Sequence, residues 1–244
     1  MIMYDVAQGS EEWGILRMGR PTSSDFNKLI TAKTSQPSKQ RFKYANKLLA
    51  EIMVMRPLRT IEPTYWMERG TIMEAKARHA YEFIHDVEVE HGGFITDDKG
   101  QCGCSPDAYI LTKHAGLEIK CPSEQVHLGY LLGTVDEKEF IAEFIDKYKP
   151  QYQGQMLIGG FDYIDMFSYH PDMPPATIRM EPDIQYQALL REALGELRDD
   201  MEKKLTWLIE QGHVDIEGYN KTVQEVVDKT VIGGEIPEST LMAG

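Results

Sequence analysis

The chain has 244 residues, of which 42% are hydrophobic and 27% are charged, and these values are ordinary for a soluble globular protein built around one large domain. No run approaches the roughly 20 apolar residues of a membrane-spanning helix, and the N-terminus lacks a signal-peptide pattern, so the sequence predicts a cytoplasmic location. The net charge of −13 excludes a uniformly basic DNA-binding surface, and the odd count of three cysteines excludes a disulfide framework.

Apolar periodicity divides the first half of the chain into helices followed by strands. Apolar residues at three- and four-residue steps predict helices up to residue 85, and alternation with period two then predicts strands. The predicted helices are Ser24–Thr31, Ser38–Met55 and Thr64–His85, and the predicted strands are Val87–Ile95, Cys102–Ile110 and Gly116–Cys121.

The second half continues with helices, two further strands and one long helix. The predicted helices are Glu124–Leu132, Glu137–Phe144, Pro150–Ile158 and Ile184–Gln211, and the predicted strands are Tyr163–Tyr169 and Ala176–Met180. This order predicts an α/β fold in which helices flank a small mixed sheet. Because apolar patterning is weak after residue 211, we divide the chain into a main domain, 1–211, and a C-terminal appendage of unassigned role, 212–244.

Charge is unevenly distributed along the chain. Residues 1–60 contain ten Lys or Arg and five Asp or Glu, a net charge of +5, and the remaining residues carry −18. Such asymmetry can place a basic lining against an acidic exterior, or it can be solvated charge without a function. Composition alone leaves both interpretations open.

One predicted hairpin gathers two carboxylates and a lysine. A turn after Ile110 would pair the strand next to Asp107 antiparallel with the strand that carries Glu118 and Lys120. Glu118 and Lys120 are two residues apart, so they share one face of their strand, and their apolar neighbours point the other way into a core. Spacing alone also fits a solvated hairpin, but the proline before Asp107 and the charges inside an apolar strand cost stability that such a hairpin does not require.

The three residues suit hydrolysis of a phosphodiester bond. Carboxylate oxygens are ligands that Mg²⁺ and Mn²⁺ prefer, and a bound cation acidifies water and offsets the charge that develops on a phosphate. A lysine beside the cation can orient or activate the attacking water. Glu74 lies on the preceding predicted helix, just outside its apolar stripe, and is a further candidate ligand.

The pattern Asp-(x)n-Glu-x-Lys is the signature of the PD-(D/E)xK nuclease superfamily, and the chain resembles more narrowly the family of phage lambda exonuclease and YqaJ-type viral recombinases. The resemblance runs from about Gln8 to about Gly160 and implies a restriction-endonuclease-like core. It is carried by five blocks in the same order, which begin at Gln8, Arg69, Cys104, Gly116 and Gln151.

The resemblance implies a role for each matching position. Asp107, Glu118 and the backbone carbonyl of Ile119 would bind Mg²⁺ or Mn²⁺, and Glu74 would support a second metal position. Lys120 would act on the nucleophilic water. Four residues would hold a terminal 5′-phosphate through a guanidinium fork, hydroxyls and an amide: Arg17, Ser24, Ser105 and Gln153.

The resemblance also implies an activity and partners. It implies a Mg²⁺-dependent exonuclease that degrades double-stranded DNA 5′ to 3′ and leaves 3′ single-stranded tails for annealing-type recombination in the cytoplasm of a host cell. It implies a homo-oligomeric ring, with a trimer favoured, and a single-strand annealing protein as partner. Lys39, Arg41 and Lys43 would contact the DNA backbone in such a ring, although the same basic stretch also fits a solvated face.

Other functions are compatible with the same residues. A structure-selective endonuclease or a RecB-like nuclease of the superfamily would use the same carboxylates and lysine. A relative with an iron–sulfur cluster would need four cysteines, and the chain has three. A non-catalytic DNA-binding accessory protein would have no need of Asp107, Glu118 and Lys120, which are all present.

Overall fold

In a computed structural model of the protein, which describes residues 1–58, 65–133 and 138–233, helices flank two small sheets. The strands are β1 (Ile2–Tyr4), β2 (Glu90–His91), β3 (Phe94–Thr96), β4 (Gly103–Cys104), β5 (Ala108–Ile110), β6 (Ala115–Lys120), β7 (Tyr163–His170), β8 (Met173–Met180) and β9 (Val231–Gly233). The helices are α1 (Glu11–Arg17), α2 (Arg41–Val54), α3 (Tyr65–His85), α4 (Glu124–Gly133), α5 (Lys138–Gly159), α6 (Ile184–Glu210) and α7 (Ile216–Thr230), with 3₁₀ turns at Ser23–Lys28 and Leu111–Lys113.

The larger sheet has the strand order β2-β5-β6-β7-β8, with β6 and β7 parallel and the other neighbours antiparallel. β5 and β6 form the hairpin expected from the sequence, with Ala108 opposite Leu117. The smaller sheet, β4-β3-β1-β9, is antiparallel. The predicted α/β class is therefore confirmed, with two sheets in place of one. None of the helices in the described ranges is long and apolar enough to cross a membrane.

Two predicted elements are arranged differently in the structure. The predicted strand Cys102–Ile110 is two strands, β4 and β5, which belong to different sheets. Pro106 lies between them and lacks the amide hydrogen that a continuous ladder would need. Conversely, the helices predicted on either side of Pro150 form one helix, α5, because apolar residues before and after the proline pack on the same core.

The predicted strand Val87–Ile95 is likewise divided between the sheets, at Gly92 and Gly93. A Cβ atom at Gly92 would lie only 1.6 Å from the carbonyl oxygen of Pro106. Gly93 has a φ of +51°, which favours glycine. Because the two segments approach so closely, the chain passes between the sheets at Gly92–Gly93 and, next to it, at Pro106. The second crossing comes immediately before Asp107.

The segment after residue 211 contributes to the main core as far as it is described. α7 buries Tyr219, Val223 and Val227 in that core, and the hydroxyl of Tyr219 donates to the carbonyl of Met18 at 2.8 Å. β9 pairs with β1. Residues 212–233 thus pack on residues of the main domain, and residues 234–244 lie outside the described ranges.

A buried histidine on α4 is held as a neutral ring. Nε2 of His127 lies 2.9 Å from the carbonyl oxygen of Pro174, an acceptor, so Nε2 carries the hydrogen. Nδ1 then accepts from the hydroxyl of Ser168 at 2.7 Å. Burial lowers the pKa of His127, and it also lowers the pKa of His85.

We therefore expect the free energy of unfolding to decrease as the pH falls below about 6.5, the usual histidine pKa. Because the folded-state pKa lies below the unfolded one, the unfolded chain binds the extra proton first, and acid favours unfolding. The measurement is urea unfolding of the wild-type protein and of His127→Gln between pH 5 and 7.5. The variant should lose part of the acid dependence; an unchanged slope would contradict the assignment to His127.

Candidate active site

The β5–β6 hairpin brings Asp107, Glu118 and Lys120 together. The backbone N–H of Asp107 donates to the carbonyl of Leu117 at 3.1 Å, which places its side chain beside Glu118. Oδ2 of Asp107 accepts from the N–H of Ile119 at 2.6 Å, and Oε2 of Glu118 lies 2.6 Å from Nζ of Lys120. Leu117 and Ile119 point to the opposite face and pack in a second apolar cluster with α3.

Glu118 is 2% exposed, and two glutamines of α5 help to hold it. Nε2 of Gln151 donates to Oε1 of Glu118 at 3.0 Å, and Nε2 of Gln155 donates to the same oxygen at 2.5 Å. The two glutamines are four residues apart, so they share the helix face that lies against β6. Sequence reasoning missed both contacts because helix glutamines usually face solvent; their i, i+4 spacing was the available signal.

The ionised form of Asp107 is disfavoured in this cluster. Burial and the carboxylate of Glu118 raise the pKa of Asp107 to about 8, although Lys120 lowers it, and Glu74 adds to the rise. Burial lowers the pKa of Lys120, but Glu118 and Asp107 raise it by more, so the ammonium form is favoured. A divalent cation beside Asp107 would oppose the effect of burial, Glu118 and Glu74 and would favour its ionised form.

The donors present fit a hard cation such as Mg²⁺ or Mn²⁺. The candidate donors are the carboxylates of Asp107 and Glu118 and, as the family resemblance implies, the carbonyl of Ile119, all oxygens. Glu74 on α3 is half-buried and pairs with Arg78 at 2.8 Å. In the part of the chain that the structure describes, no three His, Cys, Asp or Glu side chains form a complete protein-only metal site. Mg²⁺ usually takes one or two carboxylates and keeps several waters, so two carboxylates and a carbonyl suffice.

A second polar cluster surrounds Arg17, at the end of α1. The guanidinium of Arg17 stacks on the ring of Trp13 at 4.1 Å, and Nη2 lies 3.1 Å from Oγ1 of Thr22 and 3.3 Å from Oγ of Ser24. Nε1 of Trp13 donates to Oγ of Ser105 at 2.9 Å. Three of the four residues expected to hold a phosphate therefore lie in one cluster, and Trp13 joins them.

Gln153, the fourth of these residues, makes its hydrogen bonds elsewhere. Its Nε2 donates to the carbonyl of Glu181 at 2.9 Å, and its Oε1 accepts from the N–H of Asp183 and from Nε2 of Gln187. These bonds join α5 to the start of α6. A residue two positions along a helix is rotated by roughly 200°, so Gln153 faces away from the surface that Gln151 presents to Glu118.

α5 connects the two clusters. A Cβ atom at Gly154 would lie 2.4 Å from the ring of Phe26 and 3.1 Å from Cβ of Ser23, so the helix backbone rests directly on the 3₁₀ turn that carries Ser24. The same helix holds Glu118 through its glutamines. The position of the Arg17 cluster relative to the carboxylates is thereby fixed by one rigid element.

The basic stretch near α2 is partly neutralised by acidic residues of the chain itself. Arg41 pairs with Glu196 on α6, and Lys28 pairs with Asp25. Other residues of the stretch are exposed, among them Lys39 and Lys43. The exposed lysines are the ones open to a DNA backbone, and the stretch as a whole is not a continuous basic face.

A family model, the YqaJ-like viral recombinase domain, matches residues 12–162 of the chain. This range contains Arg17, Asp107, Glu118 and Lys120, and it extends from α1 to the end of α5. No curated protein matches the chain.

Solved structures of exonucleases have the same fold. The alkaline exonuclease LHK-Exo from Laribacter hongkongensis has a TM-score of 0.67 and 24% identity, over 83% of this chain and 98% of that chain. LHK-Exo in complex with dAMP has a TM-score of 0.65 and 24% identity over the same shares. A phage-related exonuclease from Haemophilus somnus has a TM-score of 0.60 and 13% identity, over 78% of this chain and 96% of that chain. The predicted restriction-endonuclease-like core is thereby confirmed.

Proposed function

The chain belongs to the YqaJ-like viral recombinase domain family, so it is a nuclease that acts on DNA, and we propose that it is a Mg²⁺-dependent exonuclease that degrades one strand of linear duplex DNA from the 5′ end. The observation that carries the proposal is the pair of clusters against which α5 packs: a carboxylate–lysine site and, beside it, an arginine–hydroxyl site. A site for hydrolysis next to a site for a phosphate is what digestion from a phosphorylated end requires. The products would be 3′ single-stranded tails for annealing-type recombination.

Asp107 and Glu118, with the carbonyl of Ile119, would hold the cation, and Glu74 would support a second position. When bound, Mg²⁺ makes a coordinated water acidic and offsets negative charge on the phosphate. The N–H of Ile119 fixes the orientation of Asp107, and the glutamines of α5 fix that of Glu118. The carboxylates are thus preorganised before DNA arrives.

Lys120 would orient the attacking water and stabilise charge on the reacting phosphate. Its side chain is 26% exposed, so the ammonium group is open to substrate while it contacts Glu118. Because its pKa is raised, Lys120 acts here as a hydrogen-bond donor and a positive charge rather than as a base.

The Arg17 cluster would recognise the terminal 5′-phosphate. The ring of Trp13 supports the guanidinium, whose planar fork matches phosphate oxygens, and Ser24 and Ser105 supply hydroxyl donors. Ser105 is two residues before Asp107, so end recognition and hydrolysis would share one chain segment. Since these contacts go to phosphate, base sequence should matter little.

Family membership also supports a homo-oligomeric ring, with a trimer favoured, and a single-strand annealing protein as partner. In such a ring the exposed Lys39 and Lys43 would face the duplex, and Arg41 would join them if its pairing with Glu196 opened. Light scattering tests the ring directly: the mass should be three times the 27.9 kDa of one chain, and a monomer would contradict it.

The test of the function is a digestion assay on linear duplex labelled at one 5′ end, with or without a 5′-phosphate, in Mg²⁺. We expect release of mononucleotides that requires a free end, is faster with the phosphate, and is absent in Asp107→Ala. Cleavage of closed circles would instead identify a structure-selective endonuclease. No metal-dependent cleavage of any DNA would leave a binding or accessory role.

A further inference from the structure

Gln155 is the most deeply buried of the groups that hold Glu118. It is 0% exposed, and its Nε2 lies 2.5 Å from Oε1 of Glu118. We infer that Gln155 is a positioning residue that fixes Glu118 in the orientation needed to bind a divalent cation, an inference that rests on the proposed function. Gln155 itself contacts neither cation nor substrate in this assignment.

The other half of the same amide shows why a glutamine is present. Oε1 of Gln155 is buried and has no hydrogen-bond partner among the described residues. A buried acceptor without a partner is unfavourable, and an apolar side chain of the same size would fill the space without that cost. The amide cannot be turned over, because its oxygen would then meet Oε1 of Glu118. Its donation to Glu118 is therefore the interaction that accounts for the residue.

A neutral donor also leaves the charge of Glu118 intact. Gln151 and Gln155 donate to Oε1, and Lys120 contacts Oε2, whose second lone pair stays available to a cation. An arginine or lysine at position 155 would compete with a cation for the carboxylate, whereas an amide orients it without neutralising it. The arrangement matches the hydrogen-bond support that metal ligands usually receive from neighbouring side chains.

The backbone at Gln155 is itself fixed by packing. The neighbouring Tyr152 and Met156 are buried in the main core, and Gly154 is pressed against Phe26. Gln151, which donates to the same Oε1 of Glu118, is partly exposed to solvent. Gln155 is thus the fully buried hydrogen-bond donor to Glu118, and Gln151 is the donor that solvent can reach.

The test is calorimetric titration of Mn²⁺ into the DNA-free protein. Gln155→Met preserves side-chain length but removes the donor, and we expect it to weaken Mn²⁺ binding by about 10- to 100-fold. The matched control is Gln187→Met, which removes a buried glutamine on α6 that bonds Gln153 rather than Glu118; its Mn²⁺ affinity should equal that of the wild type. Circular dichroism checks that each variant is folded.

Mn²⁺ affinity within twofold of the wild type in folded Gln155→Met would overturn the inference. If that variant does not fold, Gln155→Asn takes its place, because it keeps a buried amide but withdraws it from Glu118; undiminished binding there overturns the inference equally. A wild-type protein that binds no Mn²⁺ would overturn both this role and the proposed metal requirement. A wild-type protein that binds Mn²⁺ but digests no DNA would overturn the proposed function alone.

Discussion

Asp107→Asn is expected to abolish DNA digestion while making the cation-free protein more stable. Asparagine keeps the shape of the side chain, and its oxygen can still accept from the N–H of Ile119, the bond that Asp107 makes at 2.6 Å. It removes a negative charge that burial and Glu118 disfavour. We expect a loss of cleavage rate on the order of 10³ or more, because a cation ligand is removed, and a gain of about 1 kcal/mol in the free energy of unfolding, as is common when a functional charge is removed.

The measurements are mononucleotide release in Mg²⁺ and urea unfolding in the presence of a chelator. Asp162→Asn is the matched control, since Asp162 is exposed and carries the same charge. It should change neither quantity. An Asp107→Asn protein that still digests duplex DNA would remove Asp107 from the cation site, and one that is inactive but less stable would make its carboxylate structural.

Lys120→Met is expected to inactivate the protein too, but with the opposite effect on stability. Glu118 is 2% exposed, and Lys120 supplies its one cationic hydrogen bond among the described residues. Removing one member of a buried ion pair leaves an uncompensated charge, and we expect a loss of about 3 kcal/mol, at the low end for such pairs because Lys120 is partly exposed. The cleavage rate should fall by about 10²- to 10⁴-fold.

The same two assays check this prediction, with Lys120→Arg as the informative companion. Arginine restores a positive charge near Glu118, so most of the lost stability should return. Its rigid fork does not reproduce the compact ammonium, so activity should stay low. If Lys120→Met were as stable as the wild type, the ion pair with Glu118 would not support the fold, and the opposite stability effects of the two variants would be lost.

The carboxylate–lysine cluster could be predicted from the sequence because its geometry is local. Strand alternation alone places Glu118 and Lys120 on one face, and a short turn alone determines that Asp107 pairs beside them. No distant part of the chain is needed for this. Arg17, Ser24 and Ser105 come from different elements, so local geometry could not bring them together. Only the family resemblance indicated them.

Contacts that depend on how a helix is rotated relative to a sheet could not be predicted from the sequence. Gln153 was expected beside a phosphate, whereas its amide bonds the carbonyl of Glu181. The contacts of Gln151 and Gln155 with Glu118 were not expected, and the break expected at Pro150 concealed how α5 continues. The role of α7 was hidden for another reason. Its buried residues recur at helical spacing, but the sequence does not indicate what they pack against, since the partner Met18 is 201 residues away from Tyr219.

In the proposed mechanism, the close packing at Gly154 helps to set the distance between the Arg17 cluster and the carboxylates. The ring of Phe26 packs directly on the backbone of α5, because Gly154 has no side chain to lie between them, and this close packing would help to set the distance from a captured DNA end to the cut bond. A bulkier residue at position 154 would have to displace Phe26 or the helix, and so would change the distance between the two clusters.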